Sequence, residues 1–238
     1  MITAYYKLVY NFYRIHGISR LLILITNRAK KIFFIKKIIF KILEISKSKS
    51  KIVFIDVGAN NGKAHRFFKK YFSVKRFDYI LIEPNKFLKN KLNKLKKKNV
   101  KILNNAAHIK DGKCFFYNFS NKKSNQLESG MIKINNDWHL SLNDKKKAIK
   151  IKTFNFSNFL TKLKKKYKFI IVKMDVEGSE YKILNHLFLK NTLNFINFLF
   201  IEFHAVYIEN KTIYKLYRSK EDMLKKQLAK SSVITCDW

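Results

Sequence analysis

Ile55-Asp56-Val57-Gly58-Ala59-Asn60-Asn61-Gly62 is the stretch on which the reading of this chain turns. An apolar run begins at Ile52, is broken once by Asp56, and ends in a glycine-bearing turn. Helical spacing follows through about Tyr71. A short continuous apolar run bounded by turn residues reads as a strand buried on both faces, the form found in parallel sheets. Glycine lets the backbone bend tightly and approach a ligand closely. The helix behind it offers N-terminal N–H groups that suit a carboxylate or phosphate. The spacing is G-x-x-x-G. It is neither the G-x-G-x-x-G of dinucleotide sites nor a P-loop, which would end in Gly-Lys-Ser/Thr.

Outward from this turn, strand and helix patterns alternate, the signature of a parallel α/β sheet. Strands are predicted at Tyr79–Ile82, Val100–Asn104, Lys113–Asn118, Ile149–Phe154, Phe169–Met174 and Phe195–Phe203. A basic amphipathic helix is predicted over Asn85–Lys98, further helices through Tyr167 and over Ser179–Leu189, and a polar loop over Ser120–Gly130.

Acids stand at the ends of several of these strands. Glu83 closes the second strand, about one βαβ unit after the glycine turn, where a carboxylate can accept both hydroxyls of a ribose. Asp175, Glu177 and Glu180 cluster where the strand Phe169–Met174 meets its helix. Asp175 and Glu177 lie two apart, so an extended backbone would aim them to one side. Glu180 sits where an acid complements a helix dipole. Glu202 and His204 close the next strand, and a neutral imidazole beside carboxylates suits general-base work on a hydroxyl.

The first 45 or so residues differ in composition. Ala29–Leu43, AKKIFFIKKIIFKIL, repeats apolar residues at helical spacing with lysines between them. Such a helix either packs on the domain or lies on an anionic membrane surface. Ser46–Ser50, SKSKS, reads as a linker, which divides the chain into an extension over 1–50 and a domain over 51–238.

Lys and Arg number 51 against 16 Asp and Glu, a net charge of +35. Lys, Asn, Ile, Phe and Tyr, with A/T-rich codons, dominate, while Gly numbers 6 and Pro 1, so the charge reads first as coding bias. Its field still attracts polyanions, so nucleic acid, anionic lipid and acidic glycans stay on the list of partners. Two cysteines make neither a disulfide framework nor a zinc site, and no signal peptide is evident, so a cytoplasmic or peripherally membrane-bound protein is expected.

Taken in order, DVGANNG (Asp56 to Gly62), IEP (Ile82 to Pro84), KMDVEGSE (Lys173 to Glu180) and IEFH (Ile201 to His204) resemble the successive motifs of FkbM-type methyltransferases. NNAAHIKDGKCFFY (Asn104 to Tyr117) is similar to that family's third-strand segment and hairpin, and KIKTFNFSNFL (Lys150 to Leu160) to the elements before its acidic motif. The resemblance spans about residues 51 to 204.

It implies a Rossmann-like class I methyltransferase fold that binds S-adenosyl-L-methionine and methylates a hydroxyl of a sugar, glycan or secondary metabolite. Gly58 and Gly62, with Ala59, would line the methionine end of the cofactor, and Asp56 would lie near its ammonium. Asn60 and Asn61 would shape the turn. Glu83 would hold the ribose, and Asn105 and Ala106 would sit beside the adenine or sulfonium. Asp175, Glu177, Glu202 and His204 would face the acceptor, with Asp175 and Glu202 able to hold magnesium. An RNA 2′-O-methyltransferase, using Lys173, and a non-catalytic RNA- or membrane-binding module are the alternatives. The family continues past its fifth strand into a helix and a strand hairpin. Only Ala205–Trp238 remain here, so a shortened sheet edge, or one completed by a partner, is expected.

Overall fold

Strand β1, Ile52–Val57, is buried along its whole length, as its apolar run requires. Its side chains alternate between two cores: Val53, Ile55 and Val57 face one, Ile52 and Phe54 the other. Helices must therefore cover both faces of the sheet. The computed structural model describes residues 29–47, 50–72, 76–118, 129–130, 149–205 and 211–238.

Helix α1 spans 29–45. After β1 come α2 (Lys63–Phe68) and β2 (Phe77–Ile82). A 3-10 turn (Lys86–Leu88) leads into the short α3 (Lys89–Asn93) and β3 (Val100–Leu103). Strands β4 (Ala106–His108), β5 (Gly112–Asn118), β6 (Ser129–Gly130) and β7 (Ile149–Asn155) follow. The second half runs α4 (Phe156–Lys164), β8 (Phe169–Met174), α5 (Glu180–Leu189), β9 (Phe198–Ile201), α6 (Lys211–Ala229) and β10 (Ile234–Asp237).

The main sheet has six strands in the order β10-β9-β8-β1-β2-β3, and every pair in it is parallel. This is a Rossmann-like, doubly wound arrangement. The chain moves outward from β1 to β2 and β3, then returns and moves the other way through β8, β9 and β10. The reversal between β1 and β8 is the topological switch point, where open α/β sheets bind ligands at the carboxyl ends of their strands. α1, α2 and α3 cover one face through Ile39, Phe68 and Leu92. α4, α5 and α6 cover the other through Leu160, Leu184 and Leu224.

β4, β7, β5 and β6 form a second, four-stranded sheet. The chain inserts it between β3 and α4, and its pairing of β5 with β7 is antiparallel.

The basic helix predicted over Asn85–Lys98 is broken into the 3-10 turn and the five-residue α3. The Asn85 side chain accepts from Phe87 N and starts a tight turn; Leu88 and Leu92 are buried and Leu95 packs partly buried against the core. The predicted loop Ser120–Gly130 lies outside the described residues except for its last two. Ala205–Trp238 supplies α6 and the parallel edge strand β10, and among the described residues the main sheet ends there without a hairpin. Cys114 in β5 and Cys236 in β10 belong to different sheets.

α1 packs on the domain through Ile35, Ile38, Ile39 and Ile42, and Ser46 behind it is buried. Residues 29–45 thus share a core with the sheet instead of standing apart from it. No described helix is long and apolar enough to cross a membrane.

Candidate functional site

The switch point is built around Gly58. Its φ of 79° is left-handed, and a Cβ there would lie 1.8 Å from the carbonyl oxygen of Asp175. Only glycine allows the β1 and β8 tips to approach so closely. The turn's amides are engaged within the protein. Gly58 N and Ala59 N both donate to Ile82 O at 3.0 Å, and Asn60 N donates to Glu83 Oε2 at 2.8 Å. Gly62 (φ 80°) caps α2, which has six residues.

Glu83 stands at the β2 tip, 6% exposed. Its second oxygen accepts from Asn85 N at 2.9 Å. Burial pushes its carboxyl up to about 7, against the pull of these two N–H donors. Each carboxylate oxygen has a further lone pair, so the group can still accept two hydroxyls. Nearby on the sequence of the turn and the β3 tip, Asn61 Oδ1 and Asn104 Nδ2 are buried and hydrogen-bonded to no protein atom. A buried polar atom without a partner costs about 1–3 kcal/mol. A carboxylate acceptor, an amide acceptor and an amide donor are the groups a nucleoside with free hydroxyls would satisfy, so these residues fit S-adenosylmethionine.

On the other side of Gly58 lies an alternating charge cluster. Asp56 and Lys173 are register partners on β1 and β8, and Lys173 Nζ lies 3.4 Å from Asp56 Oδ1. The same ammonium donates to Asp175 Oδ2 at 3.1 Å and to Gly58 O at 3.2 Å, tying the turn to β8. Burial works to lower Lys173, but Asp56 and Asp175 outweigh it and raise it, so it stays charged. Asp56 is fully buried, and burial lifts it to about 6 despite Lys173. Its carboxylate ion-pairs with the protein's own lysine.

His204, 3% exposed, sits among three acids. Nε2 lies 3.4 Å from Asp175 Oδ1 and 3.5 Å from Glu177 Oε2, and Nδ1 lies 3.2 Å from Glu180 Oε1. Burial works to lower the ring, but hydrogen bonds to Asp175 and Glu180 and the charges of Glu180 and Glu177 push it up to about 11. The neutral base expected here is replaced by a cation. Burial likewise works to raise Asp175, but the hydrogen bond from His204 and the charge of Lys173 bring it down to about 2.

Asp175 and Glu177 do converge, though not through an extended chain. Glu177 (φ 51°) and Gly178 (φ 93°) are left-handed, so the backbone folds the second acid back toward the first. Glu180, fully buried, accepts from Gly178 N at 2.8 Å and His204 N at 3.0 Å. It is a clamp joining the β8 and β9 loops, a stronger role than dipole balancing. Glu202 at the β9 tip is half-buried, and burial followed by the charge of Asp175 raises it. Among the described residues, Asp175, Glu177 and His204 each place one side-chain N or O atom within 4.8 Å of the others, and Glu202 is not in that group.

Asn105 is half-buried and lines a cleft of about 530 Å³ with Leu103, Asp111 and Phe154. Ala106 instead starts β4 and packs in the small core with Ile151. Lys173, Glu180 and Asn104 are the residues whose roles sequence reasoning missed. The signal for Lys173 was present: opposite charges one residue in from the ends of two buried strands, Asp56 in β1 and Lys173 in β8.

Against known proteins, a sequence profile of the methyltransferase FkbM domain matches residues 56–225. Among solved structures, a crystal structure of methyltransferase FkbM from Methylobacillus flagellatus KT is similar, at 14% identity and a TM-score of 0.41. The match covers 77% of this chain and 38% of that one. No curated protein matched the sequence.

Proposed function

The chain belongs to the methyltransferase FkbM domain family, and from that premise we propose that it transfers a methyl group from S-adenosylmethionine to a hydroxyl of a sugar, glycan or secondary metabolite. The observation that carries this reading is the pair of carboxylates flanking Gly58. Glu83 is held by backbone donors and has lone pairs to spare. Asp175 is held by two cations.

In this reading Glu83 accepts the ribose hydroxyls, while Asn61 and Asn104 complete the nucleoside's hydrogen bonds. When bound, the cofactor supplies a methyl group already activated on a sulfonium. The protein's task is then to align the acceptor and remove its proton. Asp175 would accept a hydrogen bond from the acceptor hydroxyl and take its proton as the methyl's bond to sulfur is exchanged for the bond to oxygen, the thioether being the leaving group. An oxygen gaining a third bond becomes strongly acidic, so a carboxylate with a low pKa suffices at that moment. His204 and Lys173 orient Asp175 and keep it ionised. Were magnesium required, the carboxylates of Asp175 and Glu177 would hold it in place of the His204 cation, and it would lower the hydroxyl's pKa. RNA 2′-O-methyl transfer is less well supported, because Lys173 is buried and already bonded to Gly58 and Asp175.

Calorimetry with S-adenosylmethionine tests the site. Wild type should bind, and Glu83→Ala should bind about 10- to 100-fold more weakly, as loss of hydrogen bonds to a charged group implies. Equal binding by both proteins would sink the assignment.

A further inference from the structure

Helix α1 carries two apolar stripes, and the core explains only one. Ile35, Ile38, Ile39 and Ile42, between 1% and 7% exposed, form the stripe that packs on the sheet. Phe33 and Phe40 are 71% and 63% exposed. At about 3.6 residues per turn they lie two turns apart on the side directly opposite that stripe. Lys30, Lys36, Lys37 and Lys41 surround them, all exposed, and Glu44 is the one acid in the helix. A convex phenylalanine ridge set among lysines has the chemistry of an interfacial helix: rings enter the boundary between headgroups and acyl chains, and ammonium groups meet lipid phosphates.

The start of the same helix reaches the ends of β9 and β10. Lys31 Nζ donates to the backbone carbonyl of Trp238, just beyond β10. Lys30, Lys31 and Phe34 line a cleft of about 590 Å³ with Phe203 and Lys225. The charge of Lys31 also acts on Glu202.

We infer that α1 is an in-plane anchor for an anionic lipid surface, docking through Phe33 and Phe40 with their flanking lysines and holding the strand tips near the headgroups. The charge complementarity commits the occupant to anionic lipid. A nucleic acid would engage the lysines through its phosphates and leave the outward phenylalanine ridge without a role. This inference does not depend on methyl transfer.

Flotation of the full chain with vesicles tests it. Wild type should float with phosphatidylcholine vesicles containing phosphatidylglycerol and about tenfold less with phosphatidylcholine alone. The double variant Phe33→Ser/Phe40→Ser keeps every charge, and its changes are on the surface, so its melting temperature should match wild type. It should lose at least about tenfold in binding to anionic vesicles while its binding to heparin and to an RNA oligonucleotide is unchanged. Vesicle binding by the double variant equal to wild type would overturn the inference, since charge alone would then account for it. So would absence of wild-type binding to anionic vesicles, or loss of RNA binding in step with vesicle binding.

Discussion

The tips of β2 and β8 each present a carboxylate beside Gly58, and their surroundings push them in opposite directions. Glu83 is buried, takes its hydrogen bonds from two backbone donors, and rises to about 7. Asp175, half-buried, faces the Lys173 and His204 cations and falls to about 2. Burial raises both; the difference lies in what fills the space around them. A carboxyl with backbone donors and no direct ion pair is suited to neutral hydroxyls that donate to it. A carboxyl locked between cations stays ionised and fixed in direction. The two tips thus divide the tasks of holding a nucleoside and orienting an acceptor.

The largest expected effect comes from breaking the pivot between them. Gly58→Ala would set a methyl group into the Asp175 carbonyl at a left-handed φ. It should cost at least about 3 kcal/mol, read as a large fall in denaturation midpoint with loss of cofactor binding. A near-normal midpoint would mean that the tips are not tied as described.

Asp175→Asn separates the tasks. It should leave S-adenosylmethionine affinity within about threefold of wild type and lower turnover by about 100-fold or more, on the acceptor found by a tritiated-methyl screen of sugars and glycans. Joint loss of affinity and turnover would merge the two sites into one.

The smallest effect is a pH dependence confined to Glu83. Ribose hydroxyls donate to the ionised carboxylate, so binding favours that form and releases a proton where Glu83 is protonated in the free protein. Affinity should therefore rise with pH, by up to about tenfold per unit below about 6, and level off above about 8. Glu83→Gln should bind weakly with a flat profile. A wild-type profile falling with pH would contradict the assigned environment.

Much of this was legible in the sequence. The boundaries of β1 and β8 were read correctly because buried parallel strands are continuous apolar runs, and the acids at the strand tips stood out in a lysine-rich chain. What failed depended on tertiary contact. The charge of His204 depends on Glu180 and Asp175, which reach it from other elements. Lys173, the ion-pair partner of Asp56, becomes its neighbour only once β1 and β8 are in register. The second sheet went unassembled because it pairs Gly112–Phe116 with Ile149–Thr153 across a long insertion. The sequence of α1 fits either a packed or a membrane-facing helix. Its isoleucine stripe packs on the core, and its phenylalanine ridge keeps the second reading open to test.

A crystal structure with S-adenosylhomocysteine would probe the division of labour at Gly58 most directly. The ribose hydroxyls should lie within about 3 Å of the Glu83 carboxylate, with the sulfur turned toward Asp175. A ligand seated away from Glu83, or with its sulfur facing away from the β8 tip, would contradict the account.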